Sequence, residues 1–143
     1  MRITPLHEGF IMPTNATPYS AAIDLYMPEA GSVYGHSKLI GLGFAAAVPP
    51  GHAALLMPRS GVGAKHGLEL NNTIGLIDAD YRGEWKAALR TKTGLGFSWN
   101  KGDRVLQAVI VPIASFALQL VASVEELGST ERGAGGFGST GPT

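Results

Sequence analysis

The chain predicts a mostly-β domain, and three observations carry that prediction. Apolar residues come in short runs punctuated by Pro and Gly, as in "LIGLGFAAAVPPG". Sustained three-four periodicity, the mark of an amphipathic helix, is almost absent. Where apolar residues accumulate, as in "VLQAVIV", they are rich in β-branched Val and Ile, which favour strands. A chain of 143 residues buries one core and is too small for two comfortable ones, so the expectation is a single compact barrel or jelly-roll.

The elements follow in order. "AAIDLY" is an alternating apolar segment with Asp24 inside it, and Gly31 to Lys38 reads as an exposed loop. "LIGLGFAAAV", the turn "PPG" and "HAALLM" form a strand, a tight turn and a strand. "PRSGVGAKHG" holds one or two helical turns that begin after Ser60 and end near Gly67. Ser60 then lies close to a helix N-terminus, where free N–H groups and the dipole favour an anion, although most serines there are simply caps. "TIGLI" and "WKAALRT" are strands on either side of "DADYRG", and "KTGLGFSWNKGD" has loop chemistry with a turn at Lys101-Gly102-Asp103.

From Val105 to Val124 no side chain is charged over about the length of a membrane span. Pro112 stands in the middle and Gln107 and Gln119 interrupt the run, so it reads as two buried strands bent or broken at Pro112 rather than a transmembrane helix. Composition changes at Gly128. Residues 1–127 are therefore the β-domain, and 128–143 a glycine-rich terminal segment expected to stay mobile until a partner orders it.

Eleven basic and eleven acidic side chains give zero formal charge, so no long-range field recruits nucleic acid or a membrane surface, and neither is expected as a partner. A polyanion must be gripped locally. The absence of cysteine excludes a disulfide scaffold and thiolate zinc sites. The N-terminal residues contain no continuous apolar stretch of the secretory type, which places the chain in the cytoplasm as an expectation. Gly133, Gly135 and Gly138 spell G-x-G-x-x-G, but a dinucleotide fingerprint needs a helix and a βαβ unit beyond it, and only Ser139 to Thr143 follow.

Five short polar segments carry residues that a plain β-domain does not need. They are "AAIDLY" around Asp24, "PRSGVGAKHG" around Arg59 and Ser60, "NNTIGLIDADYRG" with Asn72, Asp78 and Tyr81, "KGDRVLQ" with Gln107, and "RGAGGFGSTG". Singly, each has an ordinary explanation: Asp24 as a satisfied buried carboxylate, Tyr81 as a turn residue, Phe137 as a stray apolar side chain. Together, in this order and across nearly the whole chain, they resemble the five motifs of the trimeric deoxyuridine triphosphatase (dUTPase) family. "PRSG", "GLIDADYRG", "KGDRVLQ" and "RGAGGFGSTG" match almost letter for letter. Two departures are local: Ala22-Ile23-Asp24-Leu25 where A-G-Y-D-L is common, and Val62-Gly63 where the family has Leu-Ala.

The resemblance implies a distorted barrel with one short helix, assembled as a homotrimer whose active sites each borrow motifs from three subunits. It implies hydrolysis of dUTP to dUMP and pyrophosphate by attack of water on the α-phosphorus, with Mg²⁺. That reaction limits uracil in DNA and supplies dUMP for thymidylate synthesis. Position alone leaves Asp78 and Asp80 equal as the base that activates water; the resemblance selects Asp78. Asp24 matches the aspartate that positions Mg²⁺, chiefly through water.

Arg59, Ser60 and the N–H of Gly61 resemble the grip on the phosphates, with Gln107 adding an amide; Arg59 has the equal alternative of pairing with a carboxylate. Asn72 and the backbone through Gly75 and Ile77 resemble the uracil-reading hairpin, where glycine allows close approach. Tyr81 matches the ring that excludes a 2′-hydroxyl. In the terminal segment, Arg132 clamps the γ-phosphate, Phe137 stacks on uracil, and Gly138, Ser139 and Thr140 supply donors, so that the segment closes as a lid. Two alternatives stand beside this reading. One is a dCTP deaminase of the same fold, whose glutamate is replaced here by Ala88. The other is a regulatory binding protein on the same scaffold.

Overall fold

The computed structural model describes residues 1–92 and 94–136, and strands dominate them. In chain order these are β1 (Arg2–Pro5), β2 (Thr14–Asn15), β3 (Ile23–Tyr26), β4 (Gly31–Tyr34), β5 (Lys38–Gly41), β6 (Phe44–Ala47) and β7 (His52–Pro58). The helix α1 (Ser60–His66) follows, then β8 (Leu68–Leu70), β9 (Gly75–Ile77), β10 (Lys86–Thr91), β11 (Gly96–Trp99) and β12 (Arg104–Pro112). A 3₁₀ turn spans Val124–Leu127.

The largest sheet has the order β2-β3-β12-β7-β9; β5-β10-β8, β11-β4 and β1-β6 complete the barrel. All the strand pairs are antiparallel. Leu25, Leu56 and Leu106 point inward from three adjacent strands of the large sheet and meet Leu42, Leu89 and the fully buried Trp85, whose ring lies 5.1 Å from that of Phe44. Alternation along each strand sends the intervening residues outward, which puts Asp24 and Gln107 on the outer face.

The helix lies where the sequence indicates. Gly67 closes it in the left-handed conformation (φ 62°), and its N–H bonds to the Gly63 carbonyl at 3.1 Å. Five other expectations need correction. Residues 31–34 are the strand β4, with Val33 buried, rather than loop. "GFSW" within the expected loop is β11, paired with β4.

The strands flanking "PPG" do not pair with each other: β6 joins β1 and β7 joins β12 and β9, so the chain changes sheet at that turn. The strands flanking "DADYRG" likewise separate, β9 to β7 and β10 to β5 and β8. Finally, the run from Val105 forms one strand that ends at Pro112, because proline withholds a ladder N–H. Beyond it the chain is exposed instead of buried, with Phe116 79%, Leu118 91% and Leu120 98% accessible. Among the described residues no helix is long and apolar enough to cross a membrane.

Gly75 illustrates how tightly the large sheet is packed. It faces Leu56 across β7 and β9, and a Cβ there would lie 2.9 Å from the Leu56 Cβ. Leu56 is fully buried and has nowhere to retreat. Gly75→Ala is expected to lower stability by about 1–3 kcal/mol, read as a lower urea midpoint at unchanged slope.

Candidate active site

Two clefts, at opposite ends of β7, collect most of the residues marked by the sequence. The larger, about 800 Å³, is lined by Asp24, Arg59, Ser60, Gly61 and Gln107. Neighbouring strands bring together three segments far apart in the chain. Gln107 in β12 is registered against Asp24 in β3, and paired residues of an antiparallel ladder share a face. Arg59 follows β7 on the other side of β12, and its N–H donates to the Val105 carbonyl at 3.0 Å. Its carbonyl accepts from the N–H groups of Val62 and Gly63, turning the strand directly into α1.

Asp24 is 5% exposed, and both of its oxygens are engaged. The Arg59 Nε lies 2.9 Å from Oδ1 as an ion pair, and the Arg104 Nη1 donates a hydrogen bond to Oδ2 at 3.1 Å. A buried carboxylate requires such partners. Two guanidinium groups against one carboxylate leave the cluster cationic, and Lys65 adds a further positive charge to the lining. The start of α1 has no side-chain cap and no acidic residue in its first turn. The N–H groups of Ser60 and Gly61 therefore lack acceptors within the helix. A Cβ on Gly61 would meet nothing within 4 Å, so packing does not require that glycine, and its place beside the cleft stays open. The Gln107 Nε2 donates one hydrogen to the Pro58 carbonyl at 3.3 Å, which leaves the second free to point elsewhere. The arrangement is a sink for oxyanions.

A magnesium ion bound directly by protein does not fit this cleft. Among the described residues no three His, Cys, Asp or Glu groups gather, and each Asp24 oxygen already lies against an arginine. The remaining lone pairs fit a hydrated ion that keeps its waters and is held chiefly by phosphates.

The second cleft, about 150 Å³, is lined by Ile77, Asp78, Tyr81 and Glu84. Asp78 is exposed at the end of β9, and its carbonyl accepts from the Tyr81 N–H at 3.2 Å, closing a turn. The Tyr81 hydroxyl donates to the Glu84 carbonyl at 3.0 Å, and its ring lies over Gly83, where any side chain would collide with it. Asn72 lines neither cleft. It sits in the exposed turn between β8 and β9, where Thr73 takes a left-handed φ of 68° and the Ile74 N–H reaches the Asn72 carbonyl at 2.7 Å. A β-branched residue is rarely held there, and the strain marks a turn fixed by its surroundings.

The two clefts are far apart within one chain. Ile77 is registered against Ala54, so Asp78 stands beside the Ala53 end of β7, while Arg59 follows the opposite end. The strand from Ala53 to Arg59, at about 3.3 Å per residue, separates them by about 20 Å. Arg132 lies apart from both clefts in the exposed terminal segment, its Nε donating to the Gly135 carbonyl at 2.8 Å. Phe137, Gly138, Ser139 and Thr140 fall outside the described residues. Sequence reasoning missed Arg104, Lys65 and His66, although all three stand inside quoted motifs; the first pairs with Asp24 and the other two line the large cleft.

Comparison with known proteins gives consistent results. The family model described as dUTPase matches residues 8–141. A deoxyuridine 5′-triphosphate nucleotidohydrolase of Maricaulis maris is 41% identical, covering 99% of this chain and 95% of its own. That of Nautilia profundicola is 42% identical over 99% and 98%. Among solved structures, a Staphylococcus bacteriophage 80alpha dUTPase with dUPNHPP superposes with a TM-score of 0.87 at 27% identity, covering 98% of this chain and 97% of that one. A variant of the phage phi11 dUTPase of S. aureus, described for its coordination of a structural Mg(II) ion, shares the fold with a TM-score of 0.77 at 24% identity and 87% coverage of this chain.

Proposed function

This chain belongs to the dUTPase family and hydrolyses dUTP, and from that premise we propose how its residues divide the reaction. The observation that carries the proposal is the separation of about 20 Å between Asp78 and Arg59 along β7. A triphosphate cannot bridge that distance, so a complete site takes Asp78 from one chain and the cationic cleft from another. The exposed apolar arm after Pro112 supports the same conclusion: Phe116, Leu118 and Leu120 alternate as in a strand and have no cover among the described residues. A homotrimer with sites at its interfaces uses both features.

In that site the Asp78 carboxylate takes a proton from water as the oxygen attacks the α-phosphorus. The bond from that phosphorus to the β-bridging oxygen breaks, and pyrophosphate leaves. Arg59, the N–H groups of Ser60 and Gly61, and the Gln107 amide face the phosphates and stabilise the departing charge. Backbone from Asn72 to Ile77 reads the uracil edge, and the Tyr81 ring closes the place of a 2′-hydroxyl. The terminal segment from Arg132 through Phe137 to Thr140, within residues 128–143, closes over the substrate from a third chain. Asp24 would hold Mg²⁺ through water, and the ion would supply countercharge to the triphosphate.

Pyrophosphate release from dUTP, dCTP, dTTP and UTP, measured with Mg²⁺ and with chelator, tests the reading. Rapid release from dUTP alone, weakened by chelator, is expected. Ammonia release from dCTP would replace it with the deaminase, and silence on all four nucleotides with a binding protein.

A further inference from the structure

We propose that Arg104 is a positioning residue for Arg59, acting through Asp24, an inference that rests on the dUTP-hydrolase reading above. A guanidinium beside a carboxylate favours a fork of two parallel bonds. Arg59 does not make that fork: its Nε lies 2.9 Å from Oδ1 as an ion pair with no aligned hydrogen bond, while Oδ2 accepts from the Arg104 Nη1 at 3.1 Å. The Arg59 Nη1 reaches the Arg104 carbonyl at 3.4 Å, and Nη2 has no partner among the described residues. Arg104 thus occupies the oxygen a fork would need, and Arg59, which lines the large cleft, is left without a forked partner. With Oδ2 vacated, Arg59 swings onto both oxygens and turns Nη2 from the phosphates.

The backbone is shaped for this contact. Arg104 and Gln107 are three residues apart, which puts them on opposite faces of a regular strand. The ladder between β12 and β3 is irregular between Arg104 and Leu106, so Arg104 pairs with Tyr26 while Gln107 pairs with Asp24. Tyr26 and Asp24 share a face, and the bulge therefore brings Arg104 round to the face of Gln107 and Asp24. Val105 is buried and Leu106 stays packed against Leu25 in the core. Bulges re-aim single side chains beside functional sites, and this one re-aims the arginine that completes the clasp.

The test is a double-mutant cycle on the full-length protein, with folding checked by circular dichroism and both kcat and KM measured for dUTP. Arg104→Gln is expected to lower kcat/KM by about tenfold, mainly through KM, and to add less than about twofold to the loss in an Arg59→Gln background. Arg104→Lys, which restores one donor to Oδ2, is expected to recover most of the loss. If the Gln variant does not fold, Arg104→Met, which keeps the apolar stem, gives the same comparison. Losses that multiply in the double variant, a Lys variant as impaired as the Gln variant, or a Gln variant at wild-type level would each overturn the proposal. A wild-type protein without dUTP turnover would instead remove the functional reading on which it stands.

Discussion

Asp78→Asn is expected to lower dUTP turnover by about 10²–10⁴-fold while leaving nucleotide affinity near that of the wild type. The amide keeps the size and hydrogen-bonding reach of the carboxylate but cannot take a proton from water. Asp78 is exposed at the end of β9 and supports the turn to Tyr81 through its backbone carbonyl, not its side chain. The substitution therefore leaves the Tyr81 turn and the neighbouring turn between β8 and β9 intact. Single-turnover kinetics separate chemistry from binding, and a variant that retains more than about a tenth of wild-type turnover would remove Asp78 as the base. Asp80 would then be the next carboxylate to test.

Mixing two inactive variants is expected to restore activity. If each site takes Asp78 from one subunit and Arg59 from another, Asp78→Asn and Arg59→Gln chains unfolded together and refolded as mixed trimers regain about one quarter of wild-type activity. The fraction follows from statistics: half of the sites draw an intact Asp78, and half of those draw an intact Arg59. Refolding the two separately and then combining them without exchange gives no gain. A mixture that stays inactive although exchange is demonstrated would place both residues in one chain, against the separation along β7.

Much of the fold was legible in local pattern. Breaks at Pro and Gly, β-branched runs and the Gly67 stop mark most of the strands and the helix, because these features act through backbone conformation within a few residues. β4 and β11 escaped that reading for a physical reason. At each end of their ladder a glycine faces an aromatic residue, Gly31 opposite Trp99 and Gly96 opposite Tyr34, and the ring lies where the missing side chain would be. A glycine covered by a ring from another strand reads as loop until the partner is known. The arm after Pro112 differs similarly: its apolar sequence indicates burial, yet Phe116, Leu118 and Leu120 are exposed, because cover depends on distant parts of the chain or on other chains.

For the site, the sequence by itself determined which residue types are present and in what order, enough to identify the five motifs and to propose Asp78, Arg59, Gln107 and Tyr81. It also held, as one of two roles for Arg59, the pairing with a carboxylate that the structure shows with Asp24. Tertiary structure decided what those residues do to one another. Gly75 is small because of Leu56, a contact across two strands, and Asp24 is a clasp between two arginines because β3 lies beside β12 and a bulge turns Arg104 toward it. Side-chain facing depends on strand register, and a shift of one residue reverses it. Register is set by pairing between distant segments, so no local pattern reveals it, and the division of the site into two clefts is a property of the folded sheet alone.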